Sequence, residues 1–354
     1  MHFPSSSRSS LPASLGLAAL GLVSLGLAAA PARAQTQDLF VSNQNNNTIS
    51  RFAGTGLGTF STMATTLSDP NGTLNAPRGL VFDTRGDLFA ANGVNSTITE
   101  FAAGNTSGTL GAGTVALTGG GLNQSRGLVF DTRGDLFAAN AAGDSITEFA
   151  FNPASGTFGA GTVALTGGGL NQPVGLVFDA KGDLFAANIN GNSITEFAFN
   201  PASGTFGAGT VALTGGGLNQ PAGLVFDAKG DLFAANVTGN SITEFASTGA
   251  GAFATGTTFA TGGTLHTPVG LAFDARGDLF AANNNISSIT EFASTGAGTF
   301  GAGKTVETGL NGPTFLAFSP APAVPEASTT VSLGLLLALG MGGMVVAARK
   351  TRKA

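Results

Sequence analysis

The triplet Asp-Leu-Phe starts at Asp38, Asp87, Asp135, Asp183, Asp231 and Asp278, at intervals of 49, 48, 48, 48 and 47 residues. A period held that closely means that one structural unit is made repeatedly, each copy burying its apolar surface against its neighbours. The copies are close in detail: 151–198 and 199–246 differ only at Val174/Ala222, Ile189/Val237 and Asn190/Thr238.

Each unit holds four short runs with strand character, seen in one copy as Gly175–Asp179 (GLVFD), Asp183–Asn188 (DLFAAN), Ser193–Phe197 (SITEF) and Gly209–Thr214 (GTVALT). With 55 glycines, 14 prolines and only 10% charged residues, the chain reads as all-β and rich in turns. Four strands in a unit of about 48 residues describe the blade of a β-propeller. In Asp131–Asp135 an acidic acceptor opens a tight hairpin and Gly134 supplies a positive φ, with equivalents beginning at Asp83, Asp179, Asp227 and Asp274. The longer stretch Thr166–Pro173 would carry the chain from one outer strand to the next inner strand, its proline holding the preceding residue extended.

Phenylalanine does the packing in this reading: there are 28, with no Tyr or Trp, and the central copies place them at Phe178, Phe185, Phe197 and Phe206. Phe suits a dry space between stacked sheets because it has no polar atom that needs a partner. The alanine pair that follows every Asp-Leu-Phe but the first is expected to keep neighbouring blades close near the axis.

Closure can be counted. The first Asp-Leu-Phe has no Gly-Leu-Val-Phe run before it, and Thr314–Phe318 (TFLAF) has no Asp-Leu-Phe after it. Each end holds what the other lacks, so residues 35–319 are expected to form six four-stranded blades. One of these would be shared between the ends of the body and closed by hydrogen bonds across them, leaving no free edge there.

Outside the body the ends read as addresses. Residues 1–34 carry Arg8, an apolar run, then Ala32-Arg33-Ala34 before Gln35, the order of a secretory signal peptide cut after Ala34. At the other end, 320–330 is a linker and 331–348 an uncharged stretch, about 27 Å long as a helix and enough to cross a bilayer's apolar core. The basic tail 349–354, with Arg349 and Lys350, favours the cytoplasmic side and places the body outside. Val324-Pro325-Glu326, the apolar span and the basic end together resemble a PEP-CTERM sorting signal, although Ala327 stands where that signal has its second proline. The resemblance implies a partner, an exosortase-type membrane protease, and release or transfer to the cell surface.

The body itself resembles NHL-type repeat proteins, whose units run Pro-x-Gly-Leu-x-x-Asp, a glycine turn, then a strand ending in Ala-Asn. Pro173–Asp179 followed by Gly182–Asn188 carries the match best; Ser125 replaces the proline in one copy, and Ser319 stands where the closing copy would have its aspartate. The resemblance implies a six-bladed propeller and leaves activity open, because relatives include lyases, lactonases and binding platforms.

Several chemistries are narrowed by what the chain contains. With no cysteine, disulfides and thiolate metal sites are excluded. Without the six bases and one acid of its ends, the body has nine bases against nineteen acids, a net charge of −10, which argues against a nucleic-acid partner. A propeller enzyme needs different residues from different blades at one end of the axis, and the near-identical copies give no catalytic candidate. A lyase-like reading needs a histidine base, and the body has only His266, in a connection. A calcium-dependent lactonase-like reading would draw on Asn43, Asn92, Asn140, Asn188, Asn236 and Asn283, a ring of neutral oxygens, with Asp83, Asp131, Asp179, Asp227 and Asp274 for charge. Strand ends and turns account for the same residues without a ligand.

Arg-Gly-Asp at Arg85, Arg133 and Arg276 matches an adhesion motif, but the other two copies read Lys-Gly-Asp, so a hairpin role covers all five. The expectation for the whole is an exported, surface- or matrix-associated binding or structural module with no cofactor. Its partners outside the cell would be polysaccharide or surface proteins.

Overall fold

Both faces of the second strand in each unit are apolar, and this decides how the units assemble. In the computed structural model, which describes residues 37–320 apart from 57, 58, 105–108, 250 and 297, that strand is Leu184–Asn188 in the unit beginning at Pro173. Successive side chains of a strand point to opposite faces. Leu184 and Ala186 therefore pack toward the preceding unit, and Phe185 and Ala187 toward the following one.

The same alternation in every copy makes six apolar cores, each shared by two neighbouring sheets. Fully burying a residue such as Phe185 contributes about 2–3 kcal/mol, so the stabilising surface lies between the blades.

The six sheets are four-stranded and antiparallel, and every regular element among the described residues is a strand. Inner strands are Pro77–Phe82, Ser125–Phe130, Pro173–Phe178, Pro221–Phe226, Pro268–Phe273 and Pro313–Phe318. The last belongs to the first blade: it pairs with Leu39–Asn43, followed by Thr48–Phe52 and Thr65–Thr66. Its register sets Leu39 against Phe318, Phe40 against Ala317 and Val41 against Leu316, the closure expected from the complementary ends. Inner strands touch one another in sequence order, and Pro313–Phe318 meets both Pro268–Phe273 and Pro77–Phe82, so the ring is complete. This is a six-bladed β-propeller.

The residue that lets the inner strands approach is glycine rather than the alanine pair. A Cβ on Gly175 would stand closer than 3.0 Å to the carbonyl oxygen of Ala222 on the next inner strand, and Gly79, Gly127, Gly223 and Gly270 are placed alike. The alanines are fully buried, but one strand further out.

A second difference concerns the residue before each inner strand. Gln172 and Gln220, both preceding proline, are not extended but have φ of +49° and +54°. A bond between blades overrides the local preference: Gln172 N donates to Asp144 Oδ1 (2.6 Å) and Gln220 N to Asn192 Oδ1 (2.7 Å). Ala76 and Thr267 repeat this with Asn47 and Asn240.

A third feature is a two-stranded hairpin between the third and outer strands, for example Phe199–Asn200 with Thr205–Phe206. It folds Phe206 onto Phe137 (ring centroids 5.7 Å apart) and Phe178 (6.1 Å), closing the edge of the interblade core.

The signal peptide, the sorting motif at Val324, Pro325 and Glu326, the apolar span and the basic tail lie outside the described residues. Among the described residues no helix is long and apolar enough to cross a membrane.

Candidate functional site

Each inner strand starts at one face of the propeller, here the upper face, and ends at the lower face, five of the six in the Asp-x-Arg/Lys-Gly-Asp turn. The lower face is held together by its own charges. Asp131 Oδ1 accepts from Arg133 N and Asp135 N, both at 2.9 Å, while Arg133 Nε donates to Asp131 Oδ2 at 2.8 Å. The guanidinium reaches the next blade, donating to Gly204 O at 3.4 Å and lying 5.7 Å from the centre of the Phe199 ring. Arg85 makes the same reach to Gly156 and Phe151.

The aspartate of each Arg-Gly-Asp is buried as well, and Asp87 and Asp135 accept backbone N–H bonds from Ala103 and Phe151 at 2.7 Å. Arg85 and Arg133 therefore fasten neighbouring blades, and in all three triplets, that of Arg276 included, the arginine and the aspartate are paired with each other. A groove of about 390 Å³ runs between neighbouring turns, lined by Arg133, Lys181, Phe199 and Phe206.

On the upper face the asparagine ring is taken up inside the blades. Asn43, Asn92, Asn140, Asn188, Asn236 and Asn283 are at most 1% exposed. In the fourth blade Asn188 Nδ2 donates to Thr195 Oγ1 at 2.9 Å, and its Oδ1 accepts from Asn171 N at 3.1 Å. Asn92 bonds Thr99 and Asn75 in the same way, and Asn283 accepts from the backbone of His266, itself exposed in a connection. The amides therefore hold each strand end to the incoming connection and do not present oxygens to a ligand. Among the described residues no three His, Asp or Glu side chains gather into a group able to hold a metal ion.

What does differ between blades is the second residue of the inner strand: Arg78, Arg126, Val174, Ala222, Val269 and Thr314. Arg78 and Arg126 are backbone neighbours, since a Cβ on Gly79 would run into the Arg126 carbonyl. Ser42 Oγ fixes the first of them from the closing blade, donating to Arg78 O at 2.6 Å. Both side chains are half-buried. Burial, and then the charge of Arg126, push the Arg78 pKa down to about 10, and burial lowers that of Arg126.

The residue after the asparagine varies in step: Gln44, Gly93, Ala141, Ile189, Val237 and Asn284. The two arginine-bearing blades carry the two smallest, and a Cβ on Gly93 would lie 2.6 Å from Arg78 Nε. Neither arginine stood out from the repeat pattern. The legible signal was this pair of columns, read down all six copies rather than between the two most alike.

No protein-family model and no curated protein matches the sequence. Solved structures do match. The structure of a nidogen/laminin complex superimposes with a TM-score of 0.60 at 16% identity, covering 81% of this chain and 100% of that one. A putative 6-phosphogluconolactonase from Bacteroides fragilis gives 0.58 at 15%, covering 81% and 99%. A catalytically inactive virginiamycin B lyase from Staphylococcus aureus with quinupristin gives 0.51 at 14%, covering 81% and 93%. At such identities the likeness speaks for the fold alone, and it agrees with the six blades counted here.

Proposed function

We propose that the chain is an exported, non-catalytic binding propeller of the cell surface or extracellular matrix. In this reading residues 1–34 are removed as a signal peptide, and 331–348 anchor the body outside the membrane with Arg349 and Lys350 on the cytoplasmic side. The motif at Val324-Pro325-Glu326 is offered to an exosortase-type protease, and the ligands are extracellular polysaccharide or surface proteins. The observation that supports binding over catalysis is the composition of the divergent upper face. Its two variable columns offer guanidinium, amide, hydroxyl and aliphatic groups but no carboxylate or imidazole, Asp144 and His266 standing apart on connections, and a guanidinium can hold a ligand but cannot exchange a proton near neutral pH.

The test is retention of the purified full chain on immobilised exopolysaccharide of the producing cell. Saturable retention at low salt is expected; none at low salt would overturn the polysaccharide role.

A second reading, a hydrolase or lyase acting near the axis with calcium, has the lactonase and lyase names among the structural neighbours in its favour. Calorimetric titration with calcium separates the two. Heat of binding together with a raised melting temperature would favour the enzyme; neither would remove the calcium-dependent form.

A further inference from the structure

We propose that the upper face carries an oxyanion site, formed by Arg78 and Arg126 on adjacent inner strands. It would take one carboxylate, sulfate or phosphate group of a ligand approaching along the axis. This goes beyond the binding role above and does not depend on it.

The fold does not require these charges. The equivalent positions in the other four blades are Val174, Ala222, Val269 and Thr314, and those blades are built on the same strand order and register. Two arginines at this position therefore call for a cause other than blade packing.

Neither has a counter-charge. The other four arginines among the described residues, Arg51, Arg85, Arg133 and Arg276, are each ion-paired to an aspartate. Arg78 and Arg126 pair with no carboxylate among the described residues, and Arg126 Nε is buried without a hydrogen-bond partner. A buried donor without an acceptor is destabilising, and two like charges on touching strands add repulsion. In a body of net charge −10, an acid could have been placed here as it is at every lower-face turn. None among the described residues pairs with either of these two arginines on adjacent inner strands.

Space is set aside for them, too. Gly93 and Ala141 stand where other blades have Gln44, Ile189, Val237 or Asn284, and at Gly93 even a Cβ would press on Arg78 Nε, so the arginine occupies the space a side chain would take. A guanidinium presents its donors as a planar fork that fits the oxygens of carboxylate, sulfate or phosphate. Two forks side by side match one such group with several oxygens. The surrounding acidity repels anions elsewhere on the body and leaves this pair as the place that accepts one.

The experiment is thermal melting of the full chain against sodium sulfate, sodium phosphate and sodium glucuronate, each compared with sodium chloride at matched ionic strength. At least one oxyanion is expected to raise the melting temperature saturably. Response to sulfate or phosphate alone would point to a free inorganic anion, and response to glucuronate to a carboxylate-bearing sugar. Arg126→Val, which copies the residue of the fourth and sixth blades, is expected to weaken the midpoint at least tenfold. It should also melt higher than the parent without anion, because the unpaired charge is gone. Arg133→Gln, on the lower face, should leave the midpoint unchanged.

A variant-free readout is the Nε–H resonance of Arg126 in chain labelled with 15N-arginine, which should move with the same midpoint while that of Arg133 stays still. No stabilisation beyond chloride with any of the three salts, or an unchanged midpoint in Arg126→Val, would overturn the site.

Discussion

Single positions carry more of this fold than the repeat suggests, because five of the six inner strands approach the next at one glycine. The Cβ added by Gly175→Ala would press on the Ala222 carbonyl, a backbone atom that cannot turn aside. We expect a loss of about 1–3 kcal/mol, read as a lower urea midpoint, whereas Gly215→Ala, with open space around its Cα, should fall only by the strain of its positive φ. Glu307 is a different kind of exception. It stands on the outer strand Lys304–Glu307 opposite Ile289, where other blades bury Leu117, Leu165 or Leu213, and burial pushes its carboxyl up to about 7. Its folded-state pKa lies above the ordinary value of 4.5, so the folded chain holds the proton more tightly than the unfolded one. The stability linked to that proton is complete below about pH 4.5 and is lost as the pH rises through 7. Glu307→Leu should therefore stabilise the protein by about 2 kcal/mol at pH 8 and far less at pH 4.5. Equal gains at both values would show that Glu307 is solvated.

At the scale of elements, the strands were legible and their fastenings were not. The four strands of each unit and the pairing of Leu39–Asn43 with Pro313–Phe318 follow from alternation and from the missing halves at the two ends, which are properties of the chain read alone. The hairpin Phe199–Phe206 was not legible. Its strands are two residues each, too short to alternate, and what holds it is Asp183 Oδ1 accepting from Phe199 N at 2.7 Å. Gln220 escaped for a related reason. The rule for a residue before proline is local, and the bond from Asn192 that overrides it comes from the preceding blade. The pair of arginines on the upper face escaped because similarity between whole copies hides a difference confined to one column. The Asn192 bond can be dissected, since Asn192 itself has φ +46°. Asn192→Ala loses the acceptor and keeps a strained φ, for a cost of about 2 kcal/mol, whereas Asn192→Gly loses only the acceptor and should cost about 1 kcal/mol. Equal losses in denaturant midpoint would mean that the backbone there is unstrained.

At the scale of the whole molecule, six interblade cores make every blade depend on two neighbours, and one contact alone is not backed by chain continuity within the sheet. The first blade takes its inner strand from Pro313–Phe318, 274 residues after its second strand begins at Leu39, and its outer strand is only Thr65–Thr66. Removing 313–318 would strip the partner from Leu39, Phe40 and Val41 and open the core that Leu316 shares with Phe280 and Ile289. An exposed, apolar strand edge is a template for pairing with another chain. We expect the shortened protein to melt lower and over a broader range, and to self-associate in a concentration-dependent way by light scattering. Hydrogen exchange should show protection lost first in Leu39–Asn43 and Thr48–Phe52, while Leu184–Asn188, across the ring, stays protected longest. A monomer melting at the parent's temperature would mean that ring closure adds nothing to stability. The propeller would then behave as an open stack of sheets, each held by its immediate neighbours.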